Sequence, residues 1–95
     1  MLAYLSPKTP AEIVPITFDF SEVIDAVTSV IALTLTVKSG TDASAALMLD
    51  GAAQVQGALV LQLLKNGVSG NVYELNCLVA SGAERYEVTG QIPIA

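Results

Sequence analysis

The sequence predicts an all-β domain, a sandwich of about seven short strands. Three observations predict this fold. Apolar and polar residues alternate with period two, turn residues separate the alternating segments, and 95 residues leave room for one domain with one core. The strands are expected at 11–20, 29–38, 46–49, 53–56, 58–64, 72–80 and 84–93.

Alternation is clearest in the second, sixth and seventh of these strands, and there it also predicts which side chains face the core. The predicted inward residues are Ile31, Leu33, Leu35 and Val37, then Tyr73, Leu75, Cys77 and Val79, and finally Tyr86, Val88 and Ile92. The polar residues between them, such as Thr34 and Thr36, are expected to face outward.

Two segments are less regular. A helix could use the leucines of 58–64, but Gly57 and Asn66-Gly67 bracket only about eight residues, a length that favours a strand. Pro15 interrupts the first strand and cannot donate to a ladder, which places it at an edge or a bulge. A first strand that breaks and switches between two sheets would satisfy this constraint.

Turn chemistry accounts for the remaining chain. Asp50-Gly51 predicts a tight hairpin between 46–49 and 53–56. Short helices of two turns at most are alternatives at 21–27 and 42–49. Residues 9–12 imitate a helical capping box, although Pro15 argues against a helix there.

The position of Tyr73 favours one type of sandwich over others. It opens the penultimate strand directly after a glycine-rich connection, as the tyrosine of the tyrosine corner does in immunoglobulin-like sandwiches with Greek-key connections. Leu75 stands where antibody domains have a cysteine, and the chain has no tryptophan, so an antibody-type core is excluded. The alternative is an ordinary core tyrosine.

Composition predicts partners rather than chemistry. Apolar residues make up 53% of the chain and the mean hydropathy is +0.61, which favours apolar surface left over for an assembly. The alternative is a surface covered by alanine and valine. The net charge is −5 and the four bases are scattered, so nucleic-acid binding is not expected.

No targeting signal or membrane partner is expected. Apolar runs are of strand length, far from the ~18–20 residues of a membrane helix. Residues 1–6 carry no basic residue ahead of an apolar stretch, so no secretory signal is expected. A single cysteine fits a reducing compartment.

No catalytic residue is expected in this sequence. The absence of histidine removes Ser-His-Asp and Cys-His arrangements, and one cysteine cannot build a thiolate zinc site. Cys77 is predicted to be a buried, inert thiol. Gly67-Val68-Ser69-Gly70 lacks the spacing of a nucleophile elbow and the lysine of a phosphate loop.

Carboxylates are the remaining candidates. Asp19, Glu22 and Asp25 lie close enough in sequence to ligate calcium, but they do not match a calcium-loop spacing and are interpreted as solvated turn residues. Glu74 and Glu87 could form a hydrolase pair only with flanking aromatics and a cleft. We therefore expect no catalytic, metal or cofactor-binding residues, and no cofactor.

With the strands and turns placed, the chain resembles the fiber-tail adaptor proteins of phages over roughly residues 7 to 93. The residues that carry the resemblance are Thr9-Pro10-Ala11-Glu12, Ile16-Thr17-Phe18-Asp19-Phe20, Ser39-Gly40-Thr41-Asp42, Met48-Leu49-Asp50-Gly51, Val55-Gln56-Gly57, Val60-Leu61-Gln62 and the run from Gly67 to Cys77.

The resemblance implies a structural protein of the phage tail, made in the bacterial host cytoplasm, that joins tail components or fibres to the tail. Its implied partners are other tail or fibre proteins and further copies of itself, in a homo-oligomer or ring. The alternatives are a capsid decoration or head–tail joining protein, and a soluble ligand-binding module, for which Tyr4 is the only aromatic candidate outside the strands.

Residues 1–10 are predicted to form an extended N-terminal arm ahead of a single domain at 11–95, because Pro7 and Pro10 favour extended chain. The hypothesis is that Leu2, Tyr4 and Leu5 anchor this arm on an adjacent subunit. Deletion of residues 1–6 should then weaken assembly and leave the fold intact. The alternative is a disordered arm.

Overall fold

The computed structural model describes the backbone of residues 2–4 and all of residues 7–95. The described residues form seven strands and one 3-10 helix, Ala45–Met48. The strands are β1 (Leu2–Tyr4), β2 (Val14–Asp19), β3 (Ser29–Ser39), β4 (Leu49–Gln56), β5 (Leu59–Leu64), β6 (Val72–Ser81) and β7 (Glu84–Pro93).

Two sheets pack face to face as a β-sandwich. One has the strand order β1-β7-β6-β3 and the other the order β2-β5-β4. If β2 to β7 are taken as strands B to G, the sheets are B-E-D and G-F-C, which is the immunoglobulin-like arrangement. All neighbouring strands are antiparallel except β1, which runs parallel to β7. The predicted sandwich with Greek-key connections is confirmed.

The core lies between the inner faces of the two sheets. Strand β6 lies between β7 and β3 and buries every second side chain completely, as its alternation predicts. The other sheet contributes the inward residues of β2 and β5. The core side chains of these three strands are Tyr73, Leu75, Cys77 and Val79, Ile16 and Phe18, and Val60 and Leu64.

In strand β3 one predicted core residue, Ile31, does not face the core. Ile31 is 42% exposed, because the register of β3 against β6 shifts between Val30 and Ala32. The bulge turns Ile31 away from the core, and Val30, paired with Val79, packs against the core in its place. Leu33, Leu35 and Val37 face inward as predicted.

Pro15 lies within β2, an edge strand of the three-stranded sheet, and its side chain is exposed. The edge position is confirmed. The predicted break and switch of this strand between two sheets is wrong, because β2 runs through Pro15 and pairs only with β5. A turn precedes β2. There the Thr9 amide donates to Glu12 Oε1 at 2.7 Å, so the capping-box contact forms without a helix.

The predicted hairpin at Asp50-Gly51 is wrong. Strand β4 runs continuously through both residues, with an irregular register against β5 between Asp50 and Gln54. The turn lies instead at Gly57-Ala58, where Gly57 adopts a φ of 62°. An Asp-Gly pair suits a bulge as well as a turn, because both need the left-handed backbone that Gly51 adopts here.

The two helical alternatives have different outcomes. Residues 21–27 form turns rather than a helix, with Phe20 O accepting from the amides of Val23 and Ile24, both at 3.0 Å. Within 42–49, the 3-10 helix Ala45–Met48 forms. A predicted strand at 46–49 is therefore wrong except at Leu49, where β4 begins.

The N-terminal segment contributes a strand that the alternation did not predict. Strand β1 pairs with β7 in the same chain, from Leu2 opposite Thr89 to Tyr4 opposite Gln91. Leu5 and the side chains of Leu2 and Tyr4 lie outside the described residues. The division into an arm at 1–10 and a domain at 11–95, and the anchoring role, stay predictions.

Candidate interaction surface

Cys77 lies where alternation placed it, on the inner face of β6. Its side chain is fully buried, and this burial raises the pKa of the thiol to about 11. A thiol with such a pKa holds its proton at neutral pH and has no access to a substrate. Cys77 is therefore an inert core residue.

The acidic residues proposed as calcium ligands do not form a cluster. Asp19, Glu22 and Asp25 are all exposed, and hydrogen bonds from Ser21 lower the pKa of Asp19. Across the described part of the chain, the structure brings no three metal-ligating side chains together. Asp19 thus acts as a turn residue, its Oδ1 accepting from the Ser21 amide at 2.8 Å.

Glu74 and Glu87 both lie on the outer face of the four-stranded sheet, but they are not neighbours. Glu74 is opposite Gln91 and Glu87 is opposite Leu78. The four-residue offset along the strands separates the two carboxylates by about 13 Å. This spacing exceeds what a hydrolase pair needs.

Tyr73 forms the tyrosine corner that its position predicts. Its hydroxyl accepts from the Val68 amide at 2.9 Å and donates to Asp42 Oδ2 at 2.7 Å. Burial and the Asp42 hydrogen bond raise the pKa of Tyr73. The connection at 67–70 thus closes one end of the sandwich and forms no phosphate loop.

Asn71 extends this corner. Its Nδ2 donates to Thr41 O at 3.1 Å and lies 3.3 Å from the Tyr73 hydroxyl. Gly40 has a φ of 104°, and a Cβ there would overlap the Asn71 amide. The corner is therefore a packed structural network, with its buried polar groups satisfied by one another.

Lys8 is a buried charge that the sequence did not reveal. Only 1% of the residue is exposed, and its Nζ donates to Asn66 O at 2.6 Å and Thr9 O at 2.7 Å. Burial lowers the pKa of Lys8, and the nearby Glu12 carboxylate opposes that shift. The burial of Lys8 could not be predicted from the sequence around it, because its acceptor Asn66 O lies 58 residues away.

The central strand of the three-stranded sheet turns a row of apolar side chains outward. Val60, Gln62 and Leu64 of the central strand β5 are buried, so alternation points Leu59, Leu61 and Leu63 outward. We call these three leucines the leucine face. Leu59 and Leu61 are half-buried and Leu63 is 45% exposed.

Gln62 explains why this strand buries a glutamine and exposes leucines. Its Nε2 lies 3.1 Å from Gly51 O, 3.0 Å from Leu63 O and 3.4 Å from Asp50 O. The register of β4 against β5 skips from Asp50 to Gln54, and there the Gln62 amide reaches two carbonyls of β4. These contacts supply partners for the buried amide, and alternation leaves the leucines on the opposite face.

A groove of about 500 Å³ accompanies the leucine face where β4 is irregular. Pro15, Gly51, Leu61 and Leu63 are among its lining residues. Charged residues flank the leucines: Asp50, which also lines the groove, lies opposite Leu63 and contacts Lys65 at 3.9 Å, and Asp19 lies opposite Leu59. A row of apolar side chains flanked by charged ones suits a protein interface.

In the described residues no helix is long and apolar enough to span a membrane. Comparison of the chain with protein-family models, with curated proteins and with solved structures finds no match.

Proposed function

We propose that this chain is a structural protein of a tailed-phage virion, an adaptor that joins tail components or fibres to the tail. It works by protein–protein contacts rather than by catalysis. The observation that carries the proposal is the leucine face, an apolar row on the outer side of β5 that the sandwich leaves partly exposed, with Leu63 the most exposed of the three. The resemblance of the sequence to fiber-tail adaptor proteins supports the virion context.

The leucine face defines the chemistry of the partner. A neighbouring tail or fibre protein would cover Leu61 and Leu63 with an apolar patch of its own. The flanking acidic residues Asp19 and Asp50 favour basic side chains around that patch. The groove beside the irregular part of β4 would hold one protruding side chain.

Genetic complementation tests the proposal in the phage that encodes the chain. Deletion of the gene is expected to give particles with incomplete tails, and the wild-type gene on a plasmid is expected to restore them. The variant L59S/L61S/L63S should fold and yet lower the yield of complete particles by about tenfold or more, because buried anchors carry most of an interface's affinity.

The matched control is N76S/E87S/T89S, three changes to serine on the outer face of the other sheet, on β6 and β7 and away from the β3 edge. It is expected to complement as wild type does. Complete, infectious particles without the gene contradict the connector function. Full complementation by L59S/L61S/L63S contradicts the role of the leucine face.

Antibody labelling of intact virions separates this proposal from a capsid decoration or head–tail joining protein. Label confined to the tail supports the adaptor, and label over the capsid or at its vertex overturns it. A ligand-binding module has less support, since in residues 7–95 Phe18, Phe20 and Tyr73 are buried and Tyr86 packs partly against the core.

A further inference from the structure

Strand β3 forms one edge of the four-stranded sheet. Its backbone pairs with β6 on one side only, so alternate amides and carbonyls along its length point away from the sheet. Ser29–Ser39 is the longest strand that the structure describes, with 11 residues. An edge of this length is a template for another strand.

The central part of this edge carries no charge, proline or bulge to block pairing, although the 3-10 helix Ala45–Met48 and β4 pack beside β3. Register irregularities lie at its two ends, between Val30 and Ala32 and between Val37 and Ser39. The regular stretch from Ala32 to Val37 has no charge, no proline and no bulge. Sheet proteins that remain monomeric usually place at least one of these on an exposed edge.

We propose that a second copy of this chain pairs antiparallel along β3, with the two-fold axis at Leu35. The two four-stranded sheets then join into one continuous sheet of eight strands. The contact is isologous, so each copy gives and receives the same hydrogen bonds. The proposal uses the β3 edge and is independent of the leucine face and of the adaptor function.

The side chains of β3 match themselves in this register. On the outer face, Thr34 lies opposite Thr36 of the second copy, a pairing that favours sheet association. On the inner face, Leu33 lies opposite Val37, and Leu35 meets its own copy. Polar side chains therefore meet polar side chains on the outer face of the junction, and apolar side chains meet apolar side chains on its inner face.

Charge is compatible with self-pairing although each copy carries a net charge of −5. No acidic residue occurs between Asp25 and Asp42, a stretch that contains all of β3. Its one cation, Lys38, lies opposite Ala32 in this register rather than opposite itself. Glu74, opposite Thr36 on β6, lies one strand behind the junction, and its Oε2 is 3.8 Å from Lys38 Nζ.

Two exposed apolar residues support the antiparallel direction. Ile31, 42% exposed, lies near the start of β3, and Leu47, 66% exposed, lies on the 3-10 helix that follows its end. Antiparallel pairing places Ile31 opposite Ser39 of the second copy, beside the connection that leads to this helix. Each junction end would then shelter apolar surface that one copy exposes.

Light scattering over a concentration series tests the inference with two matched variants. Wild type is expected to show a concentration-dependent shift from monomer to dimer. T34K/T36K places lysine opposite lysine at both outer-face pairs and should raise the dimer dissociation constant about tenfold or more. T34E/T36K differs only at position 34, places glutamate opposite lysine, and should restore the dimer.

Circular dichroism establishes that both variants keep the strand content of wild type. A wild-type chain that stays monomeric at millimolar concentration overturns the inference. So does a T34K/T36K variant that dimerises as wild type does. If L59S/L61S/L63S abolishes the dimer and T34K/T36K does not, the leucine face rather than β3 is the self-association surface.

Disulfide trapping tests the register. Positions 34 and 36 of two copies lie directly opposite, within reach of a disulfide, whereas position 34 meets its own copy only diagonally. A mixture of T34C and T36C should cross-link several times faster than either variant alone. Equal rates in the mixture and the separate variants contradict this register, and Cys77 does not interfere because it is buried.

Discussion

The outer faces of the two sheets differ although the inner faces of both sheets supply apolar core residues. On the four-stranded sheet the outward side chains bond to one another, as where Asn76 Nδ2 donates to Thr89 Oγ1 at 3.1 Å and Gln91 Nε2 donates to Glu74 Oε2 at 3.2 Å. On the three-stranded sheet the central strand presents the leucine face.

This difference distinguishes the apolar residues that folding requires from the apolar residues that remain on the surface. Folding requires one apolar face on each sheet, and both sheets supply it with their inward residues. The polar outer face of the first sheet is the ordinary solution for a face exposed to water. The leucine face adds little to the core, which is why we assign it to a partner.

The largest expected effect compares the two central leucines. Leu75 is fully buried on β6 and Leu61 is half-buried on β5. L75A should lower the free energy of unfolding by about 2–5 kcal/mol, because it leaves a cavity. L61A should lower it by about 1 kcal/mol or less, because solvent fills the space.

Urea unfolding of both variants measures this contrast. A cost for L61A equal to that of L75A would make the leucine face part of the folding core and remove the argument for a partner. A near-neutral L61A that also loses function would strengthen the separation between folding and binding.

The second prediction concerns the pH dependence of stability that the buried Cys77 thiol causes on the inner face of β6. Burial raises the pKa of Cys77 from 9.0 to about 11, so the folded chain keeps a proton that the unfolded chain releases. The stabilisation is complete below pH 9.0 and is lost as pH rises to about 11, an expected fall of about 2–3 kcal/mol.

Urea unfolding of wild type and C77A from pH 8 to 11 isolates this contribution. The raised pKa of Tyr73 and the lowered pKa of Lys8 change the pH dependence of stability in opposite directions. Both residues are present in wild type and in C77A, so their contributions cancel when the two proteins are compared. The cavity in C77A costs the same at every pH. A constant difference between the two proteins across this range would show that the thiol is accessible to water.

The smallest of the three effects compares two glutamines that lie on opposite sides of their sheets. Gln62 points into the sandwich and contacts carbonyls of β4, whereas Gln91 lies on the polar outer face. Q62A should cost about 1–3 kcal/mol, because the carbonyls that its amide contacts lose a donor. Q91A should cost less than about 1 kcal/mol, because its partner Glu74 keeps its contact with Lys38 and stays partly exposed to water.

Thermal unfolding of the two variants gives the measurement. If Q62A is as mild as Q91A, the irregular part of β4 is solvated and the glutamine does not set the orientation of β5. A change in the solvent exposure of Leu61 in Q62A would indicate that the orientation of β5 has changed.

Strands β3, β6 and β7 were predictable because alternation and burial agree in them. Their inward residues are the residues that alternation selects, with the exception of Ile31, which a bulge displaces. The tyrosine corner was also predictable, because the position of Tyr73 after a glycine-rich turn is a local signal.

Strand β4 and the orientation of β5 were not predictable in the same way. Asp50-Gly51 has the composition of a hairpin turn, yet these residues lie in a strand. Lys8 and Gln62 are polar residues whose burial depends on carbonyl groups contributed by distant or irregular segments. No local pattern reports such partners.

The sequence by itself determined the all-β class, the positions of most strands and the corner at Tyr73, because these follow from short-range alternation and turn chemistry. Only the tertiary structure decided which face of β5 is buried. On the buried face Val60 and Leu64 join the core, and Gln62 finds acceptors in the irregular part of β4 that exist only when the two strands are paired. The leucine face is the outward consequence of that choice.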